Sequence, residues 1–442
     1  MAVLECNDMV RIPNLFDQLF YYYFSEEESG SIHLNMYLTE RVKPDILKKA
    51  LNKALKRNGS FRSSPRIRED GFLVLIDNPM EADVYLYDDE PVQLGTKEVN
   101  GYLFRVMYEN NRITVAAFHS ICDGKGMMEF GRTLLYYYLT LCGHTIRTGK
   151  ETLTEAVPVD PTEMADTMEL LAKPNATPIF ERQLNPVFTL PGEVYPLNSG
   201  MGTRRFQYII ETDAFRDFAH GVQSTFLPVL SSLIAETIRE MYNTRDKVIT
   251  MNSAVNMRQF YGNRSLSNFT ELFWIPMIDS LFETDLATRA FLIGKLLMPL
   301  QLNQANYDWK IAEAKRDRTE LFNFPVTDRQ QLRNLRYSLW NNEEFRATFF
   351  TTNVGRTEMC QDMASYVTGA DMYVYNLSRH PYFAILTHEN RTVITLLQRI
   401  KNDALAKRFL QKLKKLKIPV KFVDCGRYQN DRLTYSKIPA LE

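Results

Sequence analysis

The segment FHSICDGKG, residues 118–126, is the part of the sequence that decides how the fold is interpreted. It follows an apolar run, residues 113–118, and precedes apolar residues that recur every three or four positions up to Leu141. This pattern predicts a strand, then a turn, then a helix. His119 would lie where the strand ends, a place at which α/β proteins commonly present reactive side chains.

The turn contains the pattern His-x-x-x-Asp-Gly, formed by His119, Asp123 and Gly124. By chance alone, about one or two matches are expected per hundred chains of this composition, so the flanking strand and helix are needed to give it meaning. An imidazole with a pKa of about 6.5 can remove a proton from an attacking alcohol or amine at neutral pH. We therefore interpret His119 as a general base rather than a core histidine.

Hydrophobic periodicity in the rest of the chain indicates a mixture of helices and strands. An amphipathic helix begins at Pro44 and ends before Asn58-Gly59. The second half also mixes strands and helices. Its predicted strands are 203–211, 248–255, 347–354 and 391–397, and its predicted helices are 228–242, a stretch within 285–323, and 403–416.

The length of 442 residues predicts two domains, because single cores stop growing near about 250–300 residues. Seven prolines from Pro158 to Pro196 disfavour a regular helix there. They suit an extended segment that crosses from one domain to the other. We expect an N-terminal subdomain at 1–175, a linker at 176–200 and a C-terminal subdomain at 201–442.

Charge and composition exclude several classes of function. Lys plus Arg and Asp plus Glu both count 53, which gives no electrostatic footprint for nucleic acid. The five cysteines are scattered and lack metal-site spacing, so we predict neither a disulfide framework nor a metal site. The N-terminus lacks the basic and apolar regions of a signal peptide, and residues 291–300 are too short to span a membrane. We expect a cytoplasmic protein without stable membrane insertion.

Three later segments extend the pattern around His119. They are Asn256-Met257-Arg258, Asn268-Phe269 and TTNVGR at residues 351–356, which contains Asn353. Taken in this order, the segments resemble the chloramphenicol-acetyltransferase-like superfamily of acyltransferases. This superfamily includes alcohol acetyltransferases, polyketide-associated acyltransferases and peptide-synthetase condensation domains.

The resemblance implies an α/β fold of two acetyltransferase-like subdomains, each a mixed sheet flanked by helices, with the active site in the tunnel between them. It implies transfer of an acyl group from a thioester to a small hydroxyl or amine acceptor. Acyl-coenzyme A would be a cosubstrate, with no tightly bound cofactor and no metal. The residues carried over are His119, Asp123 and Gly124 as catalytic, with Arg258, Asn256 and Asn353 as substrate-binding or structural support.

Departures from the family pattern narrow this prediction. Condensation domains usually carry two successive histidines, and Phe118 replaces the first, which favours simple acyl transfer. The Asp-Phe-Gly-Trp-Gly motif of the plant branch is absent, which excludes that branch. Two alternatives remain: an enzyme that takes its acyl group from a carrier protein, and a family member that binds a partner without catalysis. We interpret Asp123 as structural, and the resemblance suggests Arg258 as its ion-pair partner.

Two further features have competing interpretations. Cys122 beside His119 could be an acylated nucleophile, but most cysteines are small buried apolar residues. A run of basic residues in the last predicted helix could meet coenzyme A phosphates or an acidic carrier protein, although a solvated face is the commoner meaning. These basic residues are Lys407, Arg408, Lys412, Lys414, Lys415 and Lys417.

Overall fold

The computed structural model describes residues 30–69, 73–88, 91–164, 171, 173, 176–177, 186–191, 203–244, 247–323, 347–374, 380–428 and 437–440. Within these ranges the chain forms two lobes, each built on a mixed β-sheet with its own apolar core. The predicted α/β class with two sheets flanked by helices is confirmed.

The strands are β1 (Ser31–Leu38), β2 (Ser63–Ile67), β3 (Leu73–Asp77), β4 (Val84–Leu86), β5 (Phe104–Glu109), β6 (Arg112–Phe118), β7 (Thr203–Glu211), β8 (Ile249–Asn256), β9 (Thr270–Met277), β10 (Phe349–Arg356), β11 (Val367–Val374), β12 (Tyr382–His388), β13 (Arg391–Gln398) and β14 (Val420–Tyr428). The α-helices are α1 (Pro44–Arg57), α2 (Gly124–Leu141), α3 (Thr212–Gly221), α4 (Phe226–Met241), α5 (Arg258–Tyr261), α6 (Asp279–Phe282), α7 (Leu286–Leu292), α8 (Met298–Gln301), α9 (Gln304–Asn323), α10 (Gln361–Ala364) and α11 (Ala404–Lys415).

The first lobe is a five-stranded sheet in the order β11-β1-β6-β5-β4, antiparallel except between β4 and β5. Alternate residues of β1, Ile32, Leu34 and Met36, are fully buried and join the core that α1 and α2 complete. Pro44 starts α1 because its fixed φ suits a first helical position. A separate ribbon pairs β2 with β3.

One strand of the first sheet comes from far along the chain. β11 pairs antiparallel with β1, from Ile32 opposite Val374 to Leu38 opposite Val367. Residues within 367–374 thus complete the first lobe, although they follow most of the second lobe in sequence. The predicted linker, 176–200, lies for the most part outside the described residues, and the subdomain boundaries stay a prediction.

The second lobe is a seven-stranded sheet in the order β14-β7-β13-β12-β10-β8-β9, with parallel pairs at β12–β10 and β10–β8. Helices α3, α4 and α11 belong to the same apolar core as the residues on one face of this sheet. α4 is buried along most of its length and contacts both α7 and α11.

α7 continues without a break through a π-helical stretch, Ile293–Leu297, into α8. Pro299 lies just beyond the stretch, and a π-turn accommodates a residue that has no N–H to continue the regular ladder. Among the described residues, no single helix is long and apolar enough to cross a membrane, while α3 and α4, bent by 85° at their junction, pass that test only as a pair.

Candidate active site

His119 is the first residue after β6, and the sheet fixes where it lies. Its N–H donates to the Gly30 carbonyl at 2.8 Å, which continues the β1–β6 pairing by one residue. The Ile121 N–H then donates to the Phe118 carbonyl at 3.1 Å and closes the turn. Phe118 is fully buried in the first core and anchors the end of the strand. The predicted strand, turn and helix are thus confirmed.

Asp123 caps the N-terminus of α2 and is only 2% exposed. One carboxylate oxygen, Oδ1, accepts the Gly126 N–H at 2.9 Å, as an N-cap residue does. The other, Oδ2, accepts three bonds from the second lobe: Arg258 Nη1 at 2.7 Å, the Phe269 N–H at 2.9 Å and Thr270 Oγ1 at 2.9 Å. Both oxygens are therefore engaged in holding the turn.

The ion pair between Asp123 and Arg258 that the family resemblance suggests is present and buried. Burial alone would raise the pKa of Asp123, but the charge and hydrogen bond of Arg258 and the two backbone N–H donors outweigh it, and the pKa lies below its ordinary value. The carboxylate is thus charged at neutral pH. Asp123 therefore holds the turn against the second lobe through these hydrogen bonds.

Arg258 shares its guanidinium among several partners. Nε donates to the Ser265 carbonyl and Nη2 to the Ser267 carbonyl, both at 2.7 Å. Asn256 Oδ1 accepts from the Arg258 N–H at 3.0 Å and from Nη1 at 3.1 Å. The planar fork of arginine suits this fixed set of acceptors. Asn256 therefore orients the arginine.

Residues 262–269, here called the clasp loop, cross from the second lobe to the first. The Leu266 N–H donates to the Glu163 carbonyl at 2.9 Å, and the Arg264 N–H donates to Thr162 Oγ1 at 3.1 Å. Glu163 is itself held by Arg57 of α1 through two bonds of 2.7 and 2.9 Å in a buried pair. The clasp loop is thus fastened to rigid parts of the first lobe.

Gly126 allows the closest approach between the clasp loop and α2. A Cβ atom at this position would lie 2.2 Å from the Leu266 carbonyl oxygen, a backbone atom. Any larger residue would therefore push the clasp loop away from the turn.

Asn268, in the clasp loop, contacts the histidine residue directly. Its side-chain amide donates to the His119 carbonyl oxygen. Burial lowers the pKa of His119, and the interaction with its own backbone carbonyl, the charge of Asp123 and the side chain of Asn268 only partly oppose this effect. Burial therefore favours the neutral form of the His119 imidazole.

Gly124 and the Asn353 segment meet at the start of α2. A Cβ atom on Gly124 would lie 3.3 Å from a methyl group of Val354 in β10. Asn353 Oδ1 accepts the Gly355 N–H at 3.0 Å, where the pairing of β10 with β12 is interrupted and Gly355 has φ +91°. This positive φ favours glycine. Gly124 thus gives β10 room beside the turn.

Comparison with known proteins gives a fold but no relative in sequence. No protein-family model and no curated protein matches the chain. The epimerization domain from the third module of tyrocidine synthetase B superposes with a TM-score of 0.56 at 11% identity, covering 92% of this chain and 97% of that one. TRI3 trichothecene 15-O-acetyltransferase from Fusarium sporotrichioides gives 0.54 at 10% identity, covering 92% and 95%. TRI101 from F. graminearum, solved with coenzyme A and T-2 mycotoxin, gives 0.50 at 10% identity, covering 94% and 99%.

The chain has the chloramphenicol-acetyltransferase-like fold. Nearly the whole length of this chain and of each of these proteins takes part in the match. The fold predicted from the resemblance is therefore confirmed.

Within this acetyltransferase-like fold, the structure brings together most of the residues singled out in the sequence. His119, Asp123 and Gly124 belong to one turn. Arg258, which Asn256 orients, holds this turn through Asp123. Asn353 immediately precedes Val354, the residue that lies against Gly124.

Sequence reasoning did not assign a place in the site to three further residues of this fold, Asn268, Thr270 and Gly126. The sequence presents Asn268 only as part of a motif, and the contact of Asn268 joins residues 149 positions apart. Gly126 carries the one signal in the sequence that could have revealed this close packing, because a glycine in the first turn of a helix costs stability unless packing requires it.

Proposed function

We propose that this protein is an acyltransferase that moves an acyl group from a thioester to a hydroxyl or amine acceptor, with His119 as general base. The observation that carries the proposal is the turn after β6. There the buried Asp123–Arg258 ion pair holds the turn that begins with His119, and burial lowers the pKa of this histidine. The fold is shared with the acetyltransferase TRI3 and with TRI101, which was solved with coenzyme A. A buried ion pair costs desolvation energy and suits a site that needs fixed geometry.

The reaction needs one base and no covalent intermediate. The imidazole of His119 takes the proton of the acceptor O–H or N–H as the oxygen or nitrogen forms a bond to the thioester carbonyl carbon. The carbon–sulfur bond then breaks, and the leaving thiolate takes this proton from the His119 imidazolium, which restores the neutral base. Asp123, Arg258 and Asn268 act by positioning the turn, because their polar atoms face protein groups.

Acyl-coenzyme A is the donor that we propose, as a cosubstrate in a ternary complex. TRI101 was solved with coenzyme A together with a mycotoxin, which supports a donor and a small acceptor bound together on this fold. The alternative donor, an acylated carrier protein, has its support in the tyrocidine synthetase domain. Phe118, in place of the first histidine of condensation domains, favours the simpler donor. We place the active site between the two lobes, where the clasp loop reaches His119.

The direct-attack mechanism is supported by the surroundings of Cys122. Its thiol is fully buried in the first core, packed among apolar side chains. A nucleophilic cysteine needs an exposed thiolate, which such a place does not provide.

The test is a thiol-release assay with short and long acyl-coenzyme A donors against a panel of alcohols and amines. Turnover should fall by about 10²–10⁴-fold in His119→Ala and stay near wild type in Cys122→Ala. Equal activity of wild type and His119→Ala would disprove catalysis by His119. Activity only with a phosphopantetheinylated carrier protein would replace coenzyme A as donor and leave the histidine's role in place.

A further inference from the structure

Asn252, in β8, is a polar side chain in the second sheet and is fully buried. Neither its Oδ1 nor its Nδ2 makes a hydrogen bond to any residue that the structure describes. A buried amide nearly always has partners, because it loses its hydrogen bonds to water when it is buried. An amide without them therefore calls for an explanation, and one explanation is a ligand that makes these bonds.

The side chain of Asn252 lies on the face of the sheet that is turned away from the second core. Ile249 and Met251 of β8 belong to that core. Successive side chains of a strand point to opposite faces, so Asn252 points to the other one. There its cross-strand neighbours are Trp274 of β9 and Phe350 of β10, which are both half-buried. The amide thus lies between two aromatic residues that solvent partly reaches.

β9 connects this place to the turn that begins with His119. Thr270, the first residue of β9, donates through Oγ1 to Asp123 Oδ2 at 2.9 Å. Trp274 comes four residues later, and an even number of residues keeps both side chains on the same face of the strand. At about 3.3 Å per residue, the two positions are about 13 Å apart. The face that carries Asn252 is therefore the face that meets the histidine turn.

A further aromatic residue extends this face across the sheet. Tyr382 of β12 is paired with Phe350 and stacks on it, with the ring centroids 6.2 Å apart and an interplanar angle of 17°. Tyr382 also packs against a small buried cluster that contains Tyr373 of β11. Because β11 belongs to the first sheet, the face meets the first lobe at this point. The face is thus aromatic and is turned toward the first lobe.

We propose that Asn252 is a hydrogen-bond anchor for the acyl acceptor, and that this acceptor is an aromatic alcohol or amine whose ring carries a second polar group. The inference rests on the proposed acyl transfer, because it names the acceptor of that reaction. The ring packs against Trp274 and Phe350, and its polar group bonds to the amide of Asn252. A phenol hydroxyl suits this place, because it donates and accepts as the amide does.

An acceptor with a polar group fits this place better than the acyl chain of the donor does. An aliphatic chain would pack against the aromatic side chains but would leave both polar atoms of Asn252 without partners. Neighbouring side chains cover the amide, so the half-buried ring of Trp274 or Phe350 turns aside when the acceptor enters. Side-chain rotations of this kind are common when a ligand or partner binds.

The test compares phenylalkanols with 4-hydroxyphenylalkanols of the same chain length, two series that differ by one hydroxyl. Dissociation constants are measured by titration calorimetry without a donor, and kcat/KM is measured with acetyl-coenzyme A. Wild type should bind the best hydroxyphenyl alcohol at least about tenfold more tightly than its phenyl counterpart. Asn252→Leu should remove this preference. Without ligand it should melt at or above the wild-type temperature, because leucine has a similar size and leaves no amide unpartnered.

Ser232→Ala is the matched control. Ser232 of α4 is also fully buried, and its Oγ has no hydrogen-bond partner in the described part of the chain, but α4 packs on the opposite face of the sheet. This variant should keep the wild-type preference for the hydroxyl.

Equal affinity of wild type for the two series would overturn the proposal, and so would a preference that survives in Asn252→Leu. Weaker binding of palmitoyl-coenzyme A by Trp274→Ala, with no effect on either alcohol series, would assign the face to the acyl chain instead. A preference that Asn252→Leu removes, without turnover of any thioester, would keep Asn252 as a ligand anchor and disprove acyl transfer. Turnover by a wild type that shows no preference would disprove the anchor alone.

Discussion

His119 combines two properties that a base needs at neutral pH: a fixed position and an unprotonated ring. The position comes from the β1–β6 pairing and the Asn268 contact, and the protonation state comes from burial, which lowers the pKa. A histidine in water has a pKa of about 6.5 and would be partly protonated under mildly acidic conditions.

This pKa shift predicts the pH dependence of the proposed transferase. Because only the neutral imidazole accepts a proton, kcat/KM should fall as pH decreases through the pKa of His119. The pKa is lowered, so the apparent midpoint should lie below about 6.5. Initial rates measured at saturating donor across this pH range would show the decrease in kcat/KM. A midpoint above 7 would indicate that another group controls the rate.

Asn268 is expected to be a positioning residue for His119. In Asn268→Asp, a carboxylate oxygen replaces the donor and repels the His119 carbonyl oxygen, so kcat should fall by at least about tenfold. The added negative charge should also raise the pKa of His119 and move the acid limb to higher pH. Asn268→Ala should lower kcat without that upward move. Rate–pH profiles of both variants, with KM for the donor, are the measurement.

Asn111→Asp is the matched control for this pair of variants. The Asn111 amide also donates to a backbone carbonyl, that of Leu38 at 2.7 Å, but at the opposite end of β6. Its pH profile should match wild type. If Asn268→Asp lowers thermal stability as Asn111→Asp does and leaves the profile unchanged, Asn268 is structural only.

At the scale of elements, the clasp loop and the first turn of α2 form one unit. Asp123 joins them through hydrogen bonds on both sides, and Gly126 sets the distance between their backbones. The unit is rigid because the Asp123 charge, the Arg258 fork and the Ser265 and Ser267 carbonyls satisfy one another inside the protein.

Gly126→Ala tests this unit. Because the new methyl group would meet the Leu266 carbonyl at 2.2 Å, the clasp loop must move, at a cost of about 1–3 kcal/mol. We expect a lower melting temperature and a lower kcat, because the movement carries Asn268 away from His119. Gly221→Ala at the end of α3 is the control, since a Cβ there meets nothing within 4 Å. An unchanged kcat in Gly126→Ala would separate the clasp loop from the chemistry.

The elements that sequence periodicity predicts well are those with a simple local pattern. The strand predicted at 203–211 has the bounds of β7, and the helices predicted at 228–242 and 403–416 differ from α4 and α11 by one or two residues. The Asp123–Arg258 pair was predicted from family resemblance, not from local pattern. The place of β11 was not predicted, because strand order depends on pairing between distant residues. The contact of Asn268 with His119 was not predicted either, because it also joins residues that are distant in the sequence.

At the scale of the whole molecule, the two lobes are joined by more than the chain that runs between them. The clasp loop reaches from the second lobe to the first, and β11 lies in the first sheet although β10 and β12 on either side of it belong to the second. Arg132 of α2 adds a further tie by donating to the Thr357 carbonyl at 3.2 Å. The histidine turn is thus built from both halves of the sequence.

This arrangement predicts that the first half cannot fold alone, and residues 1–200 expressed as a fragment test it. Without β11 the edge of β1 is unpaired, and the first core lacks the buried Ala370 and Met372. Such an edge with exposed apolar surface favours association with other chains. We expect the fragment to aggregate or to lack a cooperative thermal transition, and to recover both solubility and near-ultraviolet circular dichroism when residues 201–442 are coexpressed. A monomeric fragment 1–200 that melts cooperatively would show instead that β11 is dispensable, and the two lobes would then be independent folding units.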